Sequence, residues 1–132
     1  GSGCLLLAVL SELPMATGLG IDIDDAACAV GADNARALGL IGRARFVVGD
    51  WASGVDARFD IVLANPPYVP ADAINTLEPE VAWFDPRTAL DGGADGLDAY
   101  RAIVPRLPSL LSDGGFAAIE VGDAERRYRA SI

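Results

Sequence analysis

Phe59-Asp60-Ile61-Val62-Leu63-Ala64-Asn65-Pro66-Pro67-Tyr68 joins an apolar run to a turn that cannot continue it. Residues 59–64 read as a buried strand. The two prolines donate no N–H, so strand pairing must stop at them. They also restrict the residue before them, which holds Asn65 in a narrow range of backbone conformations. The Asn65 side chain offers one carbonyl acceptor and two N–H donors, and Tyr68 offers a flat ring and a hydroxyl. An amide, two prolines and a phenol are poor core material. At a strand end they can hold a planar amide or amine.

Working back toward the amino terminus, residues 43–48 form a second strand, followed by the loop Gly49-Asp50-Trp51. Before it, Asp24 is placed to cap a helix from Asp25 to about Leu38, closed by Gly39. Residues 17–23 are β-rich and Gly-broken, a strand ending at Asp22. Residues 4–10 carry Leu and Ala with little β-branching, which favours a helix ending near Leu13-Pro14. Its apolar residues go all the way round, so it is expected to be buried; a strand is the alternative.

Working forward, residues 69–95 show no clear period and contain Pro70, Pro79, Pro86 and Gly92-Gly93. A connection of this length in a compact domain is usually functional or mobile. Leu97, Tyr100, Ile103, Val104, Leu107, Leu110 and Leu111 follow helical spacing, with Pro105 and Pro108 expected to bend or break the helix. Asp113-Gly114-Gly115 reads as a turn, and residues 116–121 as a last strand ending at Gly122. Strands alternating with helices predict an α/β fold: a mostly parallel sheet with helices on both faces. Ligands of such sheets bind at the carboxyl ends of the strands. Gly1–Gly3, Asp22, Asp50-Trp51 and Asn65–Tyr68 all fall on that edge.

The composition narrows the chemistry. The 132 residues are 52% hydrophobic, carry a formal charge of −9 and include no histidine. One domain, or part of one, is expected. Without a basic stripe, direct nucleic-acid binding is not expected. The missing imidazole excludes His-based acid–base chemistry and His metal ligation in these residues. Cys4 and Cys28 are far apart, with no Cys-x-x-Cys, so neither a disulfide framework nor a zinc site is expected, and a reducing cytoplasm is the default. The apolar run from Cys4 to Leu10 is too short to span a bilayer. It also lacks the basic flank of a signal peptide.

Gly1-Ser2-Gly3 before a helix lets a backbone approach a ligand closely, although such tripeptides also occur as linkers. Asp22 follows Gly3 by nineteen residues at the next strand end. There a Rossmann-like site places an acid on ribose hydroxyls. A capping role is the other reading, and Asp24 competes for either. Asp50 can accept from an exocyclic amine and Trp51 can stack on a purine; alternatively they are a turn acid and a partly buried core residue. Glu78 and Glu80 read as a solvated loop. Asp91, Asp95 and Asp98 lack EF-hand spacing and read as loop and cap residues. Arg126, Arg127 and Arg129 read as a solvated helix face.

Gly1-Ser2-Gly3-Cys4 resembles the latter part of the Asp-Leu-Gly-Thr-Gly-Ser-Gly motif of class I S-adenosylmethionine methyltransferases. Gly49-Asp50-Trp51, Asn65-Pro66-Pro67-Tyr68, Glu78-Pro79-Glu80-Val81 and the run from Pro86 to Gly93 together resemble the HemK/PrmC family. That resemblance implies a Rossmann-like fold and methylation of a glutamine side-chain amide in peptide chain release factors. It implies that Gly1, Ser2 and Gly3 lie beside the methionine part of S-adenosyl-L-methionine. It likewise puts Asp22 on the ribose, Asp50 and Trp51 at the adenine, and Asn65, Pro66, Pro67 and Tyr68 around the target amide. Asn65 then touches both cofactor and substrate. Asn-Pro-Pro-Tyr alone is shared with enzymes that methylate exocyclic base amines in DNA or RNA, and a sister enzyme modifies a ribosomal-protein glutamine. A non-catalytic cofactor-binding module is a further alternative. Residues 1–132 are expected to be an internal part of the catalytic domain, without its first, central strand and its last two. The tail 123–132 matches the family poorly.

Overall fold

The computed structural model describes residues 1–77 and 86–122. The chain forms two compact units, Gly1–Asp56 and Ala57–Ile132. Among the described residues the strands form two separate two-stranded parallel sheets, one in each unit.

In the first unit, α1 (Cys4–Glu12) leads to β1 (Gly18–Asp22), α2 (Asp25–Ala37) and β2 (Ala44–Val48). The Asp24 side chain accepts from the Ala26 N–H and caps α2. At the other end Leu40 N–H bonds to Ala35 C=O and Gly39 N–H to Arg36 C=O. This is a Schellman closure, and Gly39 supplies its left-handed residue at φ 69°. β1 and β2 pair in register from Gly18 with Ala44 to Asp22 with Val48.

Leu7, Leu10, Ala35, Leu40 and Ala44 form the core of this unit, with Leu6, Ala16 and Phe46 packed against it. Both helices lie on one face of the sheet. A Cβ at Gly18 would strike Leu6 of α1, whereas Cβ atoms at Gly20 of β1 and Gly31 of α2 would strike Phe46. The expectation that α1 is buried all round needs correction. Leu7 and Leu10 are buried, but Leu5 is 48% exposed. Packing on one sheet face covers only one side of the helix.

In the second unit β3 (Phe59–Ala64) pairs with β4 (Leu111–Ile119). Between them lie a 3-10 turn (Ile74–Thr76), the short helix α3 (Arg87–Leu90) and α4 (Asp98–Ile103). The prolines break the predicted helix as expected. A 3-10 turn spans Val104–Arg106, and a separate short helix, α5, spans Leu107–Leu110. The expected turn at Asp113–Gly115 is instead part of β4. Phe59 pairs with Leu111 but Ile61 pairs with Phe116, so residues 112–115 bulge out between the two pairs. Gly114 takes φ 79°, which a bulge residue without a side chain adopts at little cost. No helix among the described residues is long and apolar enough to cross a membrane.

Candidate functional site

In the first unit, the residues singled out from the sequence gather at the carboxyl ends of β1 and β2. Asp22 ends β1, and its carbonyl accepts from the Gly49 N–H at 2.9 Å, so the loop after β2 starts beside it. The Asp22 carboxylate accepts from the Gly1 amino group through Oδ2 and from the Asp24 N–H through Oδ1 at 2.9 Å. Asp24 caps α2 with its own side chain, so the two acids have different tasks. The Ser2 carbonyl accepts from the Asn34 side chain at 3.0 Å, which ties the turn to α2.

Gly3 caps α1, and a Cβ there would stand 2.7 Å from the Phe46 ring. Its lack of a side chain is thus required by packing. Asp50 is exposed and Trp51 half-buried. Trp51 is the non-glycine residue with positive φ (51°) among the described residues. The left-handed region is uncommon for a bulky side chain and clusters at functional positions. A tight turn, Ser53 N–H to Asp50 C=O at 3.0 Å, holds it there.

In the second unit, Asn65–Tyr68 follows β3 directly. Asn65 is exposed, Pro66 buried, and Pro67 and Tyr68 half-buried. The residues that follow the turn pair with residues 90–93. Val69 N–H bonds to Leu90 C=O, Gly92 N–H to Val69 C=O, and Ala71 N–H to Gly93 C=O, each at 2.9–3.0 Å. This short parallel bridge replaces the pairing that the prolines forbid. The Asp91 carboxylate accepts from the Gly93 N–H at 3.0 Å and so fixes the bend in that segment.

Two features escaped the reading of the sequence. Glu120, one residue past β4, donates its N–H to the Ala64 carbonyl at 2.9 Å. Its Oε1 accepts from the Tyr68 hydroxyl at 3.2 Å. The strand-end rule that marked Asp22 and Asp50 marks this acid too. The pairing of residues 90–93 with the residues that follow the turn had only the Gly92-Gly93 pair as a local signal.

Asp91, Asp95 and Asp98 are occupied as the loop reading expects. Arg87 pairs with Asp91, and Arg101 pairs with Asp95 and Asp98. Glu78-Pro79-Glu80-Val81 and residues 123–132 lie outside the described residues.

Parallel strands in each unit and, in the second, a Pro-Pro turn that leaves an amide side chain exposed define an α/β protein. The chain belongs to the methyltransferase small domain family, whose model matches residues 1–81. It is 56% identical over its whole length to the release factor glutamine methyltransferase of Rhodospirillum rubrum, covering 41% of that protein. It is 52% identical over 92% of its length to the enzyme of the same name from Caulobacter vibrioides, covering 43% of it. With the Cereibacter sphaeroides enzyme of that name it shares 44% identity over its whole length and 48% of the relative. The chain thus spans less than half the length of these curated relatives.

Proposed function

We propose that this protein is a methyltransferase that modifies the side-chain amide nitrogen of a glutamine in peptide chain release factors, using S-adenosyl-L-methionine. The observation that carries the reading is the Asn65–Tyr68 turn at the end of β3, anchored where it leaves by the pairing of Val69 and Ala71 with residues 90–93. The names of the relatives support the choice of substrate.

The donor set of the first unit suits the cofactor. Asp22 is 26% exposed at its strand end, so its carboxylate can accept from a ribose diol. Gly1, Ser2 and Gly3 present backbone beside it. Asp50 would accept from the adenine amine and Trp51 would stack on the ring. When bound, S-adenosyl-L-methionine supplies an electrophilic sulfonium methyl.

A primary amide nitrogen is a weak nucleophile, because its lone pair is delocalised into the carbonyl. The protein therefore contributes mainly placement. The Asn65 side-chain carbonyl and the Pro66 backbone carbonyl accept the two amide hydrogens. They orient the nitrogen and stabilise positive charge developing on it. Tyr68 walls the pocket and excludes water. No strong base would be needed before transfer, in keeping with a chain that has no histidine: as the new N–C bond forms the sulfonium would leave as a neutral thioether, and the methylated amide nitrogen would release its extra proton to water.

The test is mass spectrometry of a release factor incubated with the full-length protein and cofactor. The expected result is a gain of one methylene on the glutamine of the Gly-Gly-Gln motif. Transfer to a ribosomal protein or to nucleic acid, with none to the release factor, would overturn the substrate. Asn65→Ala should lower transfer by roughly a hundredfold at saturating cofactor. Near-normal transfer in that variant would overturn the role of Asn65.

A further inference from the structure

We infer that Glu120 is a positioning residue of the amide site, acting through Tyr68. This rests on the methyltransferase reading above. The backbone of Glu120 is held twice: its N–H donates to the Ala64 carbonyl at 2.9 Å, and its carbonyl accepts from the Tyr100 hydroxyl of α4 at 2.9 Å. The first bond fixes Glu120 across from the residue that precedes Asn65. The second ties the end of β4 to α4. With the backbone anchored, the Glu120 carboxylate meets the Tyr68 hydroxyl at 3.2 Å.

An acid one residue past a strand normally points into water. Here Glu120 is exposed but turned onto the one aromatic side chain of the Asn-Pro-Pro-Tyr turn. A phenol needs two constraints to stand as a wall. The next residue, Val69, is held by its bonds with Leu90 and Gly92, and Gly92 packs close against the Tyr68 Cα. The bond from its hydroxyl to a charged acceptor fixes the far end of the ring. Glu120 thereby sets where the pocket wall stands against the amide, without touching the amide itself.

The test uses the full-length protein in four forms: Glu120→Ala, Glu120→Gln, Tyr68→Phe and the double variant Tyr68→Phe/Glu120→Ala. Glu120→Ala is expected to lower kcat for the release factor about tenfold with cofactor Kd unchanged. Glu120→Gln keeps an acceptor oxygen and should recover most of that loss. The double variant should be no slower than Tyr68→Phe alone, because the acid acts through the hydroxyl. A Glu120→Ala rate within about twofold of the parent would overturn the inference, as would additive losses in the double variant.

Carbon NMR of the labelled Tyr68 ring gives a readout independent of the methyl acceptor. Its Cζ resonance should move in Glu120→Ala and return toward the parent position in Glu120→Gln. If the parent methylates no release factor, the substrate reading fails, and the Cζ shift still decides the Tyr68–Glu120 link. An unmoved resonance in Glu120→Ala overturns it.

Discussion

Gly92 lies so close to Tyr68 that a Cβ on it would stand 2.9 Å from the Tyr68 Cα. The same Cβ would come within 2.8 Å of the Gly96 carbonyl oxygen. Both neighbours are backbone, so neither can swing aside as a side-chain tip could. Gly92→Ala must push residues 90–93 away from the turn or push Tyr68 out of place. We expect about 1–3 kcal/mol of lost stability from this overpacking. Release-factor methylation should fall further than the stability loss alone implies, because the displaced residue belongs to the proposed amide pocket. A thermal melt of the full-length variant beside its kcat checks this, and an unchanged kcat in a destabilised protein would separate the two effects.

The Phe46 ring is enclosed by three glycines. Cβ atoms built at Gly3, Gly20 and Gly31 would approach it to 2.7, 2.7 and 2.5 Å. Gly31→Ala therefore sets two effects against each other. Alanine in a helix interior gains about 1 kcal/mol over glycine. The clash costs about 1–3 kcal/mol, since the ring has no room to retreat between Gly3 and Gly20. Packing should win, so Gly31→Ala is expected to unfold at lower denaturant despite the better helix former. Phe46→Leu in the same background should restore part of the loss. A more stable Gly31→Ala single variant would show that the ring moves freely.

How much of this was legible depends on how local the cause is. The bounds of β3, the start of α2 at Asp24 and its stop at Gly39 follow from neighbouring residues, and the structure matches them; the burial expected of β3 is not met, since Asp60 and Leu63 are exposed and its other residues only half-buried. The break after Ile103 follows from Pro105 in the same way. Asp113-Gly114-Gly115 misled because a Gly-Gly pair marks a chain reversal and a bulge equally well. Only the partner strand decides, and here Phe59 recruits Leu111 before the bulge. Arg43 gave no signal at all. Its guanidinium donates to the carbonyls of Leu10, Leu13 and Ala16 at 2.8–3.0 Å, closing the end of α1 from a residue distant in sequence. The partners of Glu120 were hidden for the same reason, since Ala64 and Tyr68 lie in one distant segment and Tyr100 in another.

The ion pair of Asp95 with Arg101 should be visible in acid. Arg101 donates to both Asp95 oxygens, at 2.6 and 2.9 Å, and the Leu97 N–H adds a bond at 3.2 Å. Chiefly through the Arg101 hydrogen bond, the Asp95 carboxyl is held below its ordinary value of 3.8. Arg101 is pushed further above its own range by the same partner, so it stays charged throughout and only the carboxylate titrates. A depressed carboxyl stabilises the fold above its unfolded value, and that contribution is lost as pH falls through the folded value. The window therefore lies below about pH 4, where the unfolded chain binds the proton first. Carboxyl carbon NMR should show Asp95 of the full-length protein titrating below the ordinary aspartate range. In Arg101→Met it should move up, and the acid unfolding slope in this window should flatten. The pair is exposed, so added salt should shrink the difference between the two proteins. Identical Asp95 titrations in parent and variant would mean that water, and not Arg101, is the effective partner of this carboxylate in solution.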